Sequence, residues 1–111
     1  EMLHAGGISA RLALSDIPFI NGVRELAGSS VPGGTRANLR YVEDKVGWGK
    51  GISEDEKLML ADAQTSGGLL IAIAPEKLHM LLSVLASRGV ETRAVIGRVG
   101  EGDGGKIFVE R

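Results

Sequence analysis

"DAQTSGGLLIAI", residues 62–73, sets a polar hinge of Gln64, Thr65, Ser66 and two glycines directly against an uninterrupted apolar run. Successive strand residues point to opposite faces of a sheet, so apolar side chains on both faces of 68–74 read as a central strand covered from both sides. Pro75 then opens a helix whose Leu78, Leu81, Leu82 and Leu85 form one apolar stripe, with Gly89 as its cap. The pair predicts an interior strand crossed by a packed helix, with Leu70, Ala72, Leu78, Leu81, Leu82 and Leu85 buried.

Outward from that pair, "EMLHAGG" (1–7) reads as the last turns of a helix closing on a glycine cap. "ISARLAL" (8–14) alternates, with Ile8, Ala10, Leu12 and Leu14 on one face, and predicts a half-buried strand. Asp16 and Pro18 open a short helix carrying Ile20, Val23, Leu26 and Ala27 at helical spacing. "GSSVPGG" (28–34) is loop, and Thr35 is the expected N-cap of a helix through Val42, with Leu39 and Val42 inward. "GWGKG" (47–51) reads as a turn, and Ser53 with Glu56 makes a capping box for a helix to about Ala61. "TRAVIGRV" and "KIFVE" flank "GEGDGG" and predict a closing hairpin. After the first helix the expected order is β-α-α-α-β-α-β-β. That order is an α+β fold, a two- or three-layer sandwich of helices on a small mixed sheet.

The bulk numbers set outer bounds. A chain of 111 residues is a single domain, 1–111, with room for one ordinary core. Its 13 basic and 14 acidic residues leave a net charge of -1, which offers no electrostatic argument for nucleic acid or an anionic membrane. The apolar runs are far shorter than a membrane span. Without cysteine there is no disulfide framework, thiolate metal site or cysteine nucleophile in this chain, consistent with a cytoplasmic protein. Gly 17 is about twice the usual share, with Gly-Gly at 6–7, 33–34, 67–68 and 104–105. The start inside a helix, with neither initiator Met nor signal peptide, predicts a fragment of a longer protein.

Two loops are candidates for chemistry. In "PGGTRANL" (32–39) Gly33 and Gly34 let backbone N–H groups approach an anion, the helix beginning near Thr35 points its positive end there, and Arg36 adds charge. The plainer reading is a glycine turn capped by Thr35. No Gly-Lys-Ser/Thr follows, so it is not a Walker motif. "QTSGG" (64–68) has the same two readings: an anion site built on hydroxyls and glycines, or a tight entry into a strand. His4 and His79 lack ligand spacing and read as surface or helix-face residues. Glu54, Asp55 and Glu56 suit a solvated helix start. Trp48 fits either core cover or an interface.

Taken together, "VPGGTRANL" and "DAQTSGGLLIAI" closely resemble the carboxy-terminal domain of selenophosphate synthetases (selenide, water dikinases). These belong to the aminoimidazole ribonucleotide synthetase-like superfamily. The resemblance extends from "EMLHAGGISARL" to "AVIGRV" and the terminal "VER". Ala63 departs from the Pro usual in that family between the Asp and the Gln, and leaves Gln64, Thr65 and Ser66 in place. The superfamily also holds the hydrogenase maturation protein HypE and thiamine-monophosphate kinase, and the same domain from one of these or from aminoimidazole ribonucleotide synthetase itself is the alternative. A non-catalytic dimerisation or docking module is another.

The resemblance implies an ATP-dependent, magnesium-using homodimer that makes selenophosphate from selenide, ATP and water, releasing AMP and phosphate. It also implies that the reactive Cys or selenocysteine, the essential Lys and the magnesium aspartates belong to a preceding ATP-binding domain absent here. This chain would then be inactive alone, hold no metal, and form one wall of an interdomain cleft. By that analogy Gly33, Gly34, Thr35 and Asn38, with Thr65, Ser66, Gly67 and Gly68, are the candidate cleft-lining, phosphate-facing positions. Their contribution would be backbone donors without side-chain bulk rather than acid–base catalysis.

Overall fold

The computed structural model describes residues 2–102 and 104–111. Its elements run α1 (Met2–Gly6), β1 (Ile8–Ala13), a 3-10 turn at Leu14–Asp16, α2 (Val23–Leu26), α3 (Gly33–Val42), β2 (Val46–Trp48), α4 (Glu54–Leu60), α5 (Pro75–Ser87), β3 (Gly97–Glu101) and β4 (Ile107–Glu110). Four strands form one mixed sheet in the order β2-β4-β1-β3, an α+β architecture. β1 pairs antiparallel with β3, Ala10 opposite Val99, and parallel with β4, Ala10 opposite Ile107. β2 pairs parallel with β4 on its other side.

Several elements follow from local chemistry. Gly7 ends α1 at φ 62, a left-handed turn that a side chain resists. Ser53 accepts a hydrogen bond from the Glu56 N–H while the Glu56 carboxylate accepts one from the Ser53 N–H, the reciprocal cap that the sequence predicts for α4. α5 begins at Pro75, and Gly89 follows it at φ 75. The core lies on one face of the sheet around Leu14, Ile52 and Val109, with Phe19, Val46, Trp48, Leu60 and Ile107 packed against it. Leu58 of α4 is also buried, and α4 contacts both α2 and α3.

Several expectations need correction. Residues 68–74 are in no strand or helix, and all are exposed. The place beside β1 that an interior run would occupy is taken by β4, and the fourth strand is Val46–Trp48, from a stretch read as a turn. None of the α5 residues is buried, so Leu78, Leu81, Leu82 and Leu85 are only partly covered, while Leu70 and Ala72 are exposed. β3 and β4 do not form a hairpin, because β1 lies between them. The helix expected from Asp16 begins only at Val23, after left-handed Gly22. The observed order after α1 is therefore β-α-α-β-α-α-β-β. The expected start of α1 at Glu1 and the Asp103 position of the glycine turn lie outside the described residues.

Glu56 holds the last residue of the chain against α4. Its carboxylate accepts hydrogen bonds from Arg111 at 2.8 and 3.0 Å and from Arg24 at 3.4 Å. The Ser53 backbone N–H lowers its pKa below the ordinary carboxylate value; burial opposes this and the Arg111 charge reinforces it. A carboxylate lowered in the native state stabilises the fold above its unfolded pKa, and that contribution is lost as pH falls through the native value. Glu56→Gln is thus expected to flatten the fall in urea midpoint between about pH 6 and pH 3. An unchanged acid slope would show that other carboxylates carry it.

Candidate functional site

Both glycine loops are anchored to the same spot. Pro32 precedes α3 with φ -59 and ψ 150, and its side chain makes no capping hydrogen bond. The first N–H groups of α3, from Gly33 and Gly34, thus belong to an uncapped helix end. Thr35 is not the cap but the third residue of the helix, only 2% exposed. Its N–H donates to Pro32 O at 3.1 Å, and its Oγ1 donates to Asp62 Oδ1 at 2.5 Å. One turn on, Asn38 Nδ2 donates to Ala61 O at 3.2 Å. Asp62 and Ala61 are the root of the "QTSGG" loop, so these two side-chain bonds fasten that loop to the first turns of α3.

From this joint the loop extends into solvent. Thr65, Ser66, Gly67 and Gly68 are all exposed, and the Thr65 and Ser66 hydroxyls make no hydrogen bond among the described residues. Gly33 and Gly34 are exposed as well. A Cβ built at Gly33, Gly34 or Gly68 meets nothing within 4 Å, and none of the three has a left-handed φ. At Gly67 a Cβ would lie 2.8 Å from Gln64 Oε1, the end of a flexible side chain. The packing of this domain therefore does not itself require glycine at these positions.

Two shallow depressions border the joint. One, of about 260 Å³, is lined by Arg36, Leu39 and Arg40 of α3 with Glu54 and Leu58 of α4. The other, of about 330 Å³, lies at the margin of the core, lined by Asn38, Tyr41 and Asp62 together with the core residues Trp48, Leu60 and Val109. Trp48 thus sits half-buried in β2 between core and depression, with Lys57 Nζ 5.9 Å from its ring. His4 and His79 are exposed and far apart in the element order, on α1 and α5. Among the described residues no group of three or more His, Asp or Glu side chains is placed to hold a metal ion.

Asp62 is the residue that sequence reasoning passed over. It stands at the head of the quoted motif, and its carboxylate is the acceptor that keeps Thr35 satisfied inside the fold. Thr35→Val, which keeps the volume and removes the donor, is expected to lower stability by about 1–2 kcal/mol; the acceptor is charged, but Asp62 can regain water. Urea unfolding measures this, and a cost equal to that of an exposed substitution would contradict it.

A sheet flanked by helices, with two glycine loops joined at its rim, defines the class to which comparison with known families assigns this chain. Residues 1–110 match the family described as AIR synthase related protein, C-terminal domain, and the chain belongs to that family. Among curated relatives, the selenide, water dikinase of Carboxydothermus hydrogenoformans is 45% identical over 103 residues, covering 92% of this chain and 29% of that protein. The selenide, water dikinase of Myxococcus xanthus is 42% identical over 106 residues, 95% of this chain and 30% of the relative. That of Salmonella typhi is 38% identical over 111 residues, 99% of this chain and 31% of the relative. The chain thus spans under a third of the length of these relatives.

Proposed function

We propose that this chain is the carboxy-terminal domain of a selenide, water dikinase, and that it serves there as one wall of an interdomain cleft. The full-length enzyme makes selenophosphate from selenide, ATP and water, releases AMP and phosphate, and works as a magnesium-dependent cytoplasmic homodimer. The observation that carries the cleft assignment is the joint itself. Thr35–Asp62 and Asn38–Ala61 bring an uncapped helix N-terminus and a hydroxyl-bearing glycine loop together, and the packing of neither loop demands its glycines. Backbone N–H groups at such a place suit a phosphate, because the helix dipole and unsatisfied donors act together and no Cβ holds the anion off.

The division of labour follows from side-chain chemistry. Gly33, Gly34, Gly67 and Gly68 admit the ligand to the backbone, Thr65 and Ser66 offer hydroxyls, and Thr35 and Asn38 hold the two loops in register. None of these groups is an acid, base or nucleophile of ordinary reactivity, so the domain binds and orients while bond making belongs to the preceding ATP-binding domain. On this reading magnesium, which would shield the phosphate oxygens, is held by the preceding domain.

The test compares the full-length protein with residues 1–111. Full-length protein given selenide, ATP and magnesium is expected to produce selenophosphate and AMP, followed by phosphorus NMR. The isolated domain is expected to produce neither. AMP formation by the domain alone would overturn the division of labour, and full-length protein without selenophosphate would overturn the function.

A further inference from the structure

Helix α4 is held at both ends, and the two ends serve different parts of the domain. Its seven residues, Glu54–Leu60, make about 10 Å of helix. A helix so short does not stand by its own propensity, so its buried Leu58 and the contacts at its ends set where it lies. At its start, the Glu56 carboxylate accepts hydrogen bonds from Arg111 at 2.8 and 3.0 Å and from Arg24 at 3.4 Å. Arg111 also donates to Gly51 O at 2.9 Å, so the residue after β4 bridges α4 to the turn that precedes it. At the other end, Ala61 O accepts from Asn38 and Asp62 Oδ1 from Thr35, the joint that fixes the root of the "QTSGG" loop. Glu56 is 9% exposed and faces two arginines, one on α2 and one beyond β4. A capping box needs no such charge, because Gln completes it as well as Glu does. The negative charge of Glu56 therefore serves the arginines rather than the cap.

We propose that Glu56 is a positioning residue for the two glycine loops: by clamping Arg111 and Arg24 it fixes the start of α4, and α4 in turn fixes Ala61 and Asp62 against α3. This rests on the reading of the chain as part of a selenide, water dikinase. Among the described residues Glu56 makes no bond to either loop, so it acts through the helix. Thr35 and Asn38 both belong to α3, while their acceptors lie just beyond α4. A shift of α4 therefore moves the "QTSGG" loop relative to the start of α3 rather than carrying both together. Where rate depends on alignment, a misplacement of about 1 Å far from the chemistry costs on the order of 100-fold, so a loosened helix end is enough to show in turnover.

Glu56→Gln in the full-length protein tests this, because it keeps the cap and removes the charge. It is expected to lower kcat for selenophosphate formation about tenfold, with KM for ATP unchanged to within about twofold, since on this reading the preceding domain holds ATP. Amide exchange is followed on the same samples. The Ala61 N–H, bonded to Lys57 O at 3.0 Å, is expected to exchange faster by about tenfold, while the Ala13 N–H of β1, bonded to Ile96 O at 2.9 Å, keeps its rate. Arg111→Gln releases the clamp from the other side and moves kcat and Ala61 exchange in the same direction, which keeps the test open should Glu56→Gln fail to fold. Combining Glu56→Gln with Thr35→Val is expected to lower kcat no further than the more damaging single change, since both act on one joint. Normal kcat in the clamp variants, unchanged Ala61 exchange, or additive losses in the double variant would each overturn the proposal. Equal acceleration at Ala61 and Ala13 would overturn it too, by showing global destabilisation instead. Wild-type protein that makes no selenophosphate refutes the function, and Ala61 exchange in the clamp variants then still decides whether Glu56 fixes the end of α4.

Discussion

Gly34→Val and Gly68→Val in the full-length enzyme are each expected to lower selenophosphate turnover on the order of 100-fold, the scale of losing one fixed backbone donor to a developing charge. Both variants should remain folded. At each position a Cβ meets nothing within 4 Å and the backbone is outside the left-handed region, so the substitution carries little strain. Valine at Gly34 even removes the conformational entropy of a glycine in the first turn of α3. Loss of rate without loss of stability is therefore the signature of blocked approach to the backbone. Gly67→Val is a less clean probe, because it must first displace Gln64. Stable Gly34 and Gly68 variants with normal turnover would remove the cleft reading and leave two ordinary loops.

How much of this was legible beforehand varied with the kind of signal. Features fixed by a few neighbouring residues were readable: the Ser53–Glu56 box, the Gly7 and Gly89 helix ends, Pro75 at the start of α5 and the alternation of β1. Features fixed by distant pairing were not. An apolar run states that a segment needs covering, but it does not name the cover. Residues 68–74 met the composition of a central strand while β4 took the position beside β1. Val46–Trp48 is only three residues long and glycine-rich, too short to show a period, yet it pairs with β4 along its length. "GEGDGG" looked like a hairpin turn because nothing in it shows that β1 will lie between the flanking strands.

The site was half legible for a related reason. The glycine loops announced themselves by composition, and their meeting did not. The motif predicts Thr35 as the cap of its own helix, a local role; instead its hydroxyl reaches 27 positions along the chain to Asp62. A buried threonine hydroxyl must find a partner, so its burial, rather than its place in a motif, selects the contact. Asn38 likewise pairs with the Ala61 carbonyl, a group that sequence cannot single out.

Gly97→Ala is expected to be the most destabilising single methyl in the domain, at about 3 kcal/mol or more, the upper range for overpacking between backbones that cannot rotate aside. Gly97 begins β3 opposite Leu12 of β1. A Cβ there would lie 2.1 Å from the Arg11 carbonyl oxygen and 2.9 Å from Leu12 Cα, with Leu12 Cδ2 at 2.8 Å. Only the last is a side-chain atom free to move, so the strands themselves must part. The cost would include the adjoining bond from the Ala13 N–H to Ile96 O, 2.9 Å long, and the fit of β1 between its two partners. Gly100→Ala is the control. It lies in the same strand, its Cβ meets nothing within 4 Å, and its effect should stay within about 0.5 kcal/mol. Urea unfolding of the two variants separates close approach from the general cost of altering a strand glycine. Equal midpoints would mean that β3 does not pack this tightly against β1, and the β1–β3 register would have to shift to explain it.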